Sequence, residues 1–232
     1  MRNIIIFSII LLSGLLSSKV ALSQTETQRN DFVKAAKFDD VSTVKALIKQ
    51  GISPNIVDEN GNPMLVLAIK DHSYQVIELL LSSKGMDVDL SNKQGETPLM
   101  MASINGEMPI VKALIVKNKA QIDHIGWTPL HYASAKGHLD IASFLILNGA
   151  NVNSLSLGGT TPLMMAVQSG NELLVKLLLD KGADLKLLNA EGISAIDIAD
   201  IYNKPAISDG LRSRWQKLYK QDYTSALKPV PN

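Results

Sequence analysis

The apolar positions between Gly126 and Asn153 (GWTPLHYASAKGHLDIASFLILNGANVN) fall into two short bursts, each closed by a glycine. In the first, Leu130, Ala133 and Ala135 give a small packable face at helical spacing. Thr128 supplies a cap, and Pro129 suits the first helical position, where its missing amide hydrogen costs nothing. Gly137 ends this helix. The second burst, Leu139, Ile141, Ala142, Phe144, Leu145 and Leu147, predicts another helix that stops at Gly149. Neither helix is long enough to hold its shape alone. One such unit would melt, so the pattern predicts that it is repeated.

The same glycine-led phrase recurs as GETPLMMAS from Gly95 and GTTPLMMAV from Gly159, with weaker copies from Gly61 (GNPMLVLAI) and Gly192 (GISAIDIAD). The steps between leading glycines are 34, 31, 33 and 33 residues. A further copy without the leading phrase fits Phe32 to Gly51, with Phe32, Ala35, Val44, Leu47 and Ile48 in the packing slots. In this phrase and this period the chain resembles the ankyrin-repeat family, over roughly Arg29 to Tyr219. The resemblance implies an all-α repeat solenoid of stacked helix–turn–helix units with short β-hairpin fingers, in which each unit touches only its neighbours and the end units are polar caps. Residues 31–60 form the N-terminal capping repeat, 61–94, 95–125, 126–158 and 159–191 four repeats, and 192–221 the C-terminal capping repeat.

The flanks have a different character. Arg2, an apolar run from Ile4 to Leu16, and Ala21-Leu22-Ser23 before Gln24 have the form of a cleavable signal peptide over 1–23. The run is shorter than the ~20 residues of a spanning helix. Residues 24–30 are a polar lead-in expected to be irregular, and 222–232 a flexible tail. The unit from Gly61 has Pro63 and Met64 where threonine and proline stand elsewhere, so its first helix lacks the usual cap. In the last unit a helix is expected from Pro205 to about Tyr219, with Leu211, Trp215, Leu218 and Tyr219 as its seam and Arg212, Arg214, Lys217 and Lys220 outside. Capping the last apolar face is the preferred reading of that helix. A basic amphipathic surface for membrane or partner is the alternative.

Without residues 1–23 the chain carries 21 basic against 22 acidic residues, so it has no electrostatic footprint for nucleic acid. There is no cysteine, hence no disulfide framework despite an exported destination. A bacterial periplasm fits such a chain, with secretion as the alternative. Membrane contact is not expected after signal cleavage, and the protein is expected to be a monomer.

No constellation for chemistry emerges. His72, His124, His131 and His138 lack metal-ligand spacing, and there is no nucleophile elbow or phosphate loop. Gly158-Gly159-Thr160-Thr161 sits at a repeat junction and reads as a turn. His131 matches the histidine of the family phrase, where it would brace the neighbouring unit; Val66, Met100 and Met164 hold the equivalent slots. Met100, Met101, Met164 and Met165 read as core filler, with an adaptable binding surface as the alternative. No catalytic residue, cofactor or metal is expected.

Surface remains. The resemblance implies that partners dock on the fingers and on the inner face of the first helices. The slot after each leading glycine lies there: Asn62, Glu96, Trp127, Thr160 and Ile193. Two further slots per unit are Ile104 and Asn105, Ala135 and Lys136, and Gln168 and Ser169. Trp127 is the outlier and the anchor candidate, since binding hot spots are rich in tryptophan; packing against a neighbouring finger is the competing reading. Finger tips carry Val57, Leu155 and Leu188, with Leu157 and Leu187 close by, where the family usually has charge. The 31-residue step predicts a finger three residues short around His124 and Ile125, with one extra residue upstream near Lys119. The sequence thus points to a non-enzymatic module that binds another protein through Trp127, His124, Ile125, Glu96, Thr160, Ile193, Leu155, Leu157 and Leu188. A ligand-binding or enzymatic protein with an unrecognised site is the alternative.

Overall fold

The computed structural model describes residues 26–225, which fall into two compact units, one ending at Glu96 and one beginning at Thr97. The signal-type segment 1–23 and the end of the tail from Ala226 lie outside the described residues.

The first unit holds α1 over 26–37, α2 (Val41–Lys49), α3 (Met64–Lys70) and α4 (Tyr74–Leu81). Residues 26–30, expected to be irregular, belong to α1. Arg29 donates to the carbonyls of Val57 and Asp58 at 2.8 and 3.0 Å, a tertiary anchor that a polar stretch does not advertise in sequence. Asp40 caps α2: its carboxylate accepts from the Thr43 amide and from the hydroxyls of Ser42 and Thr43, bonds that lower its pKa to about 2. After Pro63, α3 starts without a side-chain cap, yet Met64 to Ile69 are all buried, so packing holds what capping does not.

The second unit holds α5 (Pro98–Asn105), α6 (Met108–Lys112) continued by a π-helical turn over Ala113–Lys117, α7 (Pro129–Lys136), α8 (Leu139–Leu147), α9 (Pro162–Ser169), α10 (Glu172–Asp180), α11 (Ala195–Ile201) and α12 (Pro205–Tyr219). The first helices α5, α7, α9 and α11 pack in succession, and α6, α8 and α10 form the layer behind them. Leu99, Leu114, Leu130, Ile141, Leu145 and Leu163 fill the space between the layers and are fully buried.

The backbone repeats as the sequence does. The chain leaves each first helix through a residue with positive φ, at Asp39, His72, Gly106, Gly137, Gly170 and Asn203. Glycine takes this left-handed conformation freely and other residues do so at a cost. Neighbouring units are laced across this exit: His138 Nε2 donates to the Ile104 carbonyl at 3.1 Å, and Asn171 donates to the Gly137 carbonyl at 2.8 Å.

The fingers are turns rather than extended hairpins, with isolated antiparallel bridges at Val57–Pro63 and Leu188–Ser194. One side chain braces each of four turns. Asp58 accepts from the amides of Asn60 and Asn62, Asn92 from Gln94 and Glu96, Ser156 from Thr160, and Asn189 from Glu191 and Ile193.

Two expectations at the C-terminal end need correction. Leu218 is exposed rather than part of the α12 seam, because an aromatic cluster of Trp215, Tyr219 and Tyr223 closes that end. The segment after α12 is also anchored as far as Tyr223. Its hydroxyl donates to Asp197 at 2.6 Å and lies 2.7 Å from the Ser194 hydroxyl, while Arg212 sits 5.3 Å from its ring centre.

Candidate binding pocket

The pocket is built from the start of α7. Thr128 precedes Pro129 in extended backbone, and its amide donates to His131 Nδ1 at 3.2 Å. That nitrogen must therefore be the acceptor, which leaves Nε2 to donate to the Thr160 carbonyl at 2.9 Å. The ring is fully buried, and burial holds its pKa below the usual value despite the bond to Thr160. His131 is thus a neutral brace between units, with both nitrogens committed.

Trp127 stands edge-on to this fixed ring, 5.2 Å between centres at 78°, and edge-on to Tyr132, 6.4 Å at 81°. Its indole remains 41% exposed. Together with Ile104, Tyr132, Ala135 and Met165, these two rings line an open apolar hollow of about 200 Å³.

The finger before Trp127 explains why this ring stays accessible. Gly126 follows Lys119 by seven positions, whereas Gly159 follows Gly149 by ten. The extra residue expected near Lys119 is taken up earlier, as the π-helical turn. In the longer fingers the amide of residues 58, 92, 156 and 189 bonds the carbonyl four residues on; the shortened segment makes no such pair between Asp123 and Trp127. Ile125 is left 98% exposed. Leu157, 87% exposed, leans on Gly126, where a Cβ would stand 3.5 Å from its Cγ. Ile125, Trp127 and Leu157 therefore surround one glycine.

The other candidates are scattered. Leu155 is exposed in the same finger as Leu157. His124 is partly buried, with Nε2 enclosed and without a hydrogen-bond partner. Thr160 contributes its carbonyl to His131. Leu188 and Ile193 belong to the last finger and do not line the hollow. Glu96 lies in the first unit and accepts from Asn92 at 2.8 Å. Sequence reasoning missed Tyr132, although it follows His131 as Met101 follows Met100 and Met165 follows Met164, so the repeat register could have found it.

A larger groove of about 340 Å³ runs between α10 and α12. Its rim cations are largely committed: Arg214 bonds Asp180 and the Leu179 carbonyl, and Lys176 bonds Asp180. Arg212 on the same helix pairs with Asp200. Among the described residues no three acidic or histidine side chains converge to hold a metal ion, and no helix is long and apolar enough to cross a membrane.

Helix pairs joined by braced turns, with an apolar hollow on one face, define a repeat scaffold of the binding type. The chain belongs to the ankyrin-repeat family: the model described as ankyrin repeats (3 copies) matches residues 15–92, 32–125, 84–156 and 105–189. The nuclear factor NF-kappa-B p105 subunit of Gallus gallus is 32% identical over 160 residues, which are 66% of this chain and 16% of that protein. Ankyrin repeat protein OPG189 of Variola virus is 31% identical over 163 residues, 66% of this chain and 29% of that protein. The chain thus spans less than a third of the length of these curated relatives. Among solved structures, a chain in the complex of the predatory endopeptidase Bd0816 from Bdellovibrio bacteriovorus with immunity protein Bd3460 superposes with TM-score 0.70 at 29% identity, over 79% of this chain and 97% of that one. An ankyrin repeat domain from Acinetobacter baumannii AYE gives TM-score 0.67 at 26% identity, over 78% and 95%. Ankyrin repeats mediate protein–protein interaction.

Proposed function

We propose that this chain is a non-enzymatic, exported binding module that holds one partner protein at the Trp127 hollow and the apolar tips Ile125, Leu155 and Leu157. The observation that carries this reading is Trp127 itself. It is a large ring, well exposed and pre-oriented against a locked histidine, beside an apolar hollow that its own unit does not fill. Of the roles open to such a module, an immunity or inhibitor protein is favoured over an enzyme accessory factor or an envelope scaffold. The support is the likeness, over nearly a whole chain, to a component of an endopeptidase–immunity protein complex. Export rests on the form of residues 1–23, and a periplasmic destination on the absence of cysteine.

The test is recovery of the tagged protein from its own cells by fraction, with Trp127→Ala in parallel. Truncating a half-exposed ring should change folding stability by no more than about 1 kcal/mol, while the co-purifying partner falls at least tenfold. A partner retained in full by the folded variant removes the Trp127 site. Recovery only from the cytosol, with residues 1–23 attached, removes export.

A further inference from the structure

Two first helices of the second unit, α5 and α9, each carry a pair of adjacent methionines, and each pair is divided between inside and outside. Met100 and Met164 are buried, and their sulfurs accept the amides of Thr97 and Thr161 at 3.5 and 3.4 Å. Met101 and Met165 stand one position further on, about 100° around the helix, and are partly exposed. His131 and Tyr132 hold the same two places in α7. Among the described residues Met86, Met101, Met108 and Met165 are the partly exposed methionines, and of these Met165 lines the hollow, beside Trp127, His131 and Tyr132.

A thioether in that place brings redox chemistry to an apolar wall. The chain has no cysteine, so methionine is its whole sulfur chemistry. With hydrogen peroxide, a sulfur lone pair attacks one peroxide oxygen. The S–O bond forms as the O–O bond breaks, the sulfur is oxidised by two electrons, and the departing oxygen takes the proton of the transferred one and leaves as water. The flexible apolar side chain becomes a polar sulfoxide. Both ring nitrogens of His131 are already bonded, at Thr128 and Thr160, and cannot answer the new oxygen. In the open hollow water solvates it; beneath an apolar partner surface it would be stripped of that water. Oxidation at Met164 would instead remove the acceptor of the Thr161 amide and disturb the fold. The division of the pair therefore places the reactive sulfur where oxygen costs binding and spares folding.

Resting on the binding role proposed above, we infer that Met165 is an oxidation site. Hydroperoxides convert it to the sulfoxide, which releases the partner from the Trp127 hollow, and a methionine sulfoxide reductase with a thiol reductant restores it, yielding water and a disulfide.

The test treats the full chain from Gln24 with hydrogen peroxide and follows each methionine by peptide mass spectrometry. Met165 should gain one oxygen at least tenfold faster than Met100 or Met164, with circular dichroism unchanged. With Trp215→Phe in the background, emission of Trp127 should change in step with Met165 and stay constant when Met165→Leu is added. After removal of the peroxide, the amount of cellular partner retained should fall at least tenfold and return on treatment with the reductase. In Met165→Leu the ratio of partner retained after and before peroxide should stay near one, whatever its starting affinity, whereas Met101→Leu should lose the partner as the parent does. Oxidation of Met165 no faster than that of Met100, full retention by protein oxidised at Met165, or an equal loss in Met165→Leu overturns the site. If Trp127→Ala still releases the partner in any of those cases, the binding role stands and only its redox control falls. A partner insensitive to Trp127→Ala removes both.

Discussion

Met100, His131, Met164 and Asp197 occupy equivalent positions, and each accepts the amide of the residue three before it. The acceptors are sulfur at 3.5 and 3.4 Å for the methionines, Nδ1 at 3.2 Å for His131, and a carboxylate oxygen at 2.9 Å for Asp197. The slot asks for an acceptor that survives burial, and three chemistries supply it. Only His131 also donates onward, to Thr160, and its titration gives stability a pH dependence just below neutrality. Its folded pKa lies below the 6.5 of an ordinary histidine because of burial. The contribution is therefore complete above about pH 6.5 and is lost as pH falls towards the folded value, since the unfolded chain takes the proton first. His131→Met, copying its neighbours, should flatten the fall in urea midpoint between pH 7.5 and 5 while costing about 1 kcal/mol at neutral pH for the lost bond. An unchanged slope would show that His131 is not the acid-sensitive group. At the helix exit, His72 holds φ 57° where three other units use glycine. His72→Gly should raise the urea midpoint, worth about 1 kcal/mol, at constant slope. The bracing role of His131 was legible in the sequence because its phrase is complete. Tyr132 was legible only through the repeat register, because a tyrosine on a short helix, taken by itself, reads equally as core or as surface.

Among the elements, α6 and the finger after it carry the shortest step of the array. Leu114 and Ile115 must both stay buried in the π-helical turn, so the added residue widens the helix there instead of lengthening its exit. Val116 beside them is exposed. Deleting Val116 should return α6 to regular α-helix with the helical circular dichroism kept and stability within about 1 kcal/mol of the parent. A loss of several kcal/mol would mean that the turn is required for the fold. The 31-residue step revealed the short finger from sequence alone, because a leading glycine marks the far end of each finger. It misplaced the compensating residue, since spacing counts residues but does not say which helical turn will widen.

For the molecule as a whole, the start and end of α12 were legible from Pro205 and its apolar spacing, but the closure beyond it was not. Gln221 to Ser225 is polar and without period, so a lone tyrosine there gives no signal. Tyr223 nevertheless completes the last unit. Burial and then the bond to Asp197 push its hydroxyl up to about 12. Burial pushes the Asp197 carboxyl up, but bonds from Ser225, Tyr223 and Ser194 outweigh it and hold the group below its ordinary range. Tyr223→Phe should cost about 1.5–3 kcal/mol, the range for a hydrogen bond to a charged group, measured by urea unfolding. In the parent this contribution is complete below about pH 10 and lost as pH rises towards 12, with phenolate absorbance appearing alongside unfolding. The identity of the partner was never legible, because a repeat scaffold records its architecture in every copy and its target only in local shape.

The same slot can be turned outward or inward. His131 offers a proton to the carbonyl of the turn that follows it and so spends its bond on the neighbouring unit. Asp197 offers only lone pairs, and the hydroxyl that answers them comes from Tyr223, 26 residues further along. One position thus serves as a clasp between units at His131 and as a buckle for the chain's own following segment at Asp197.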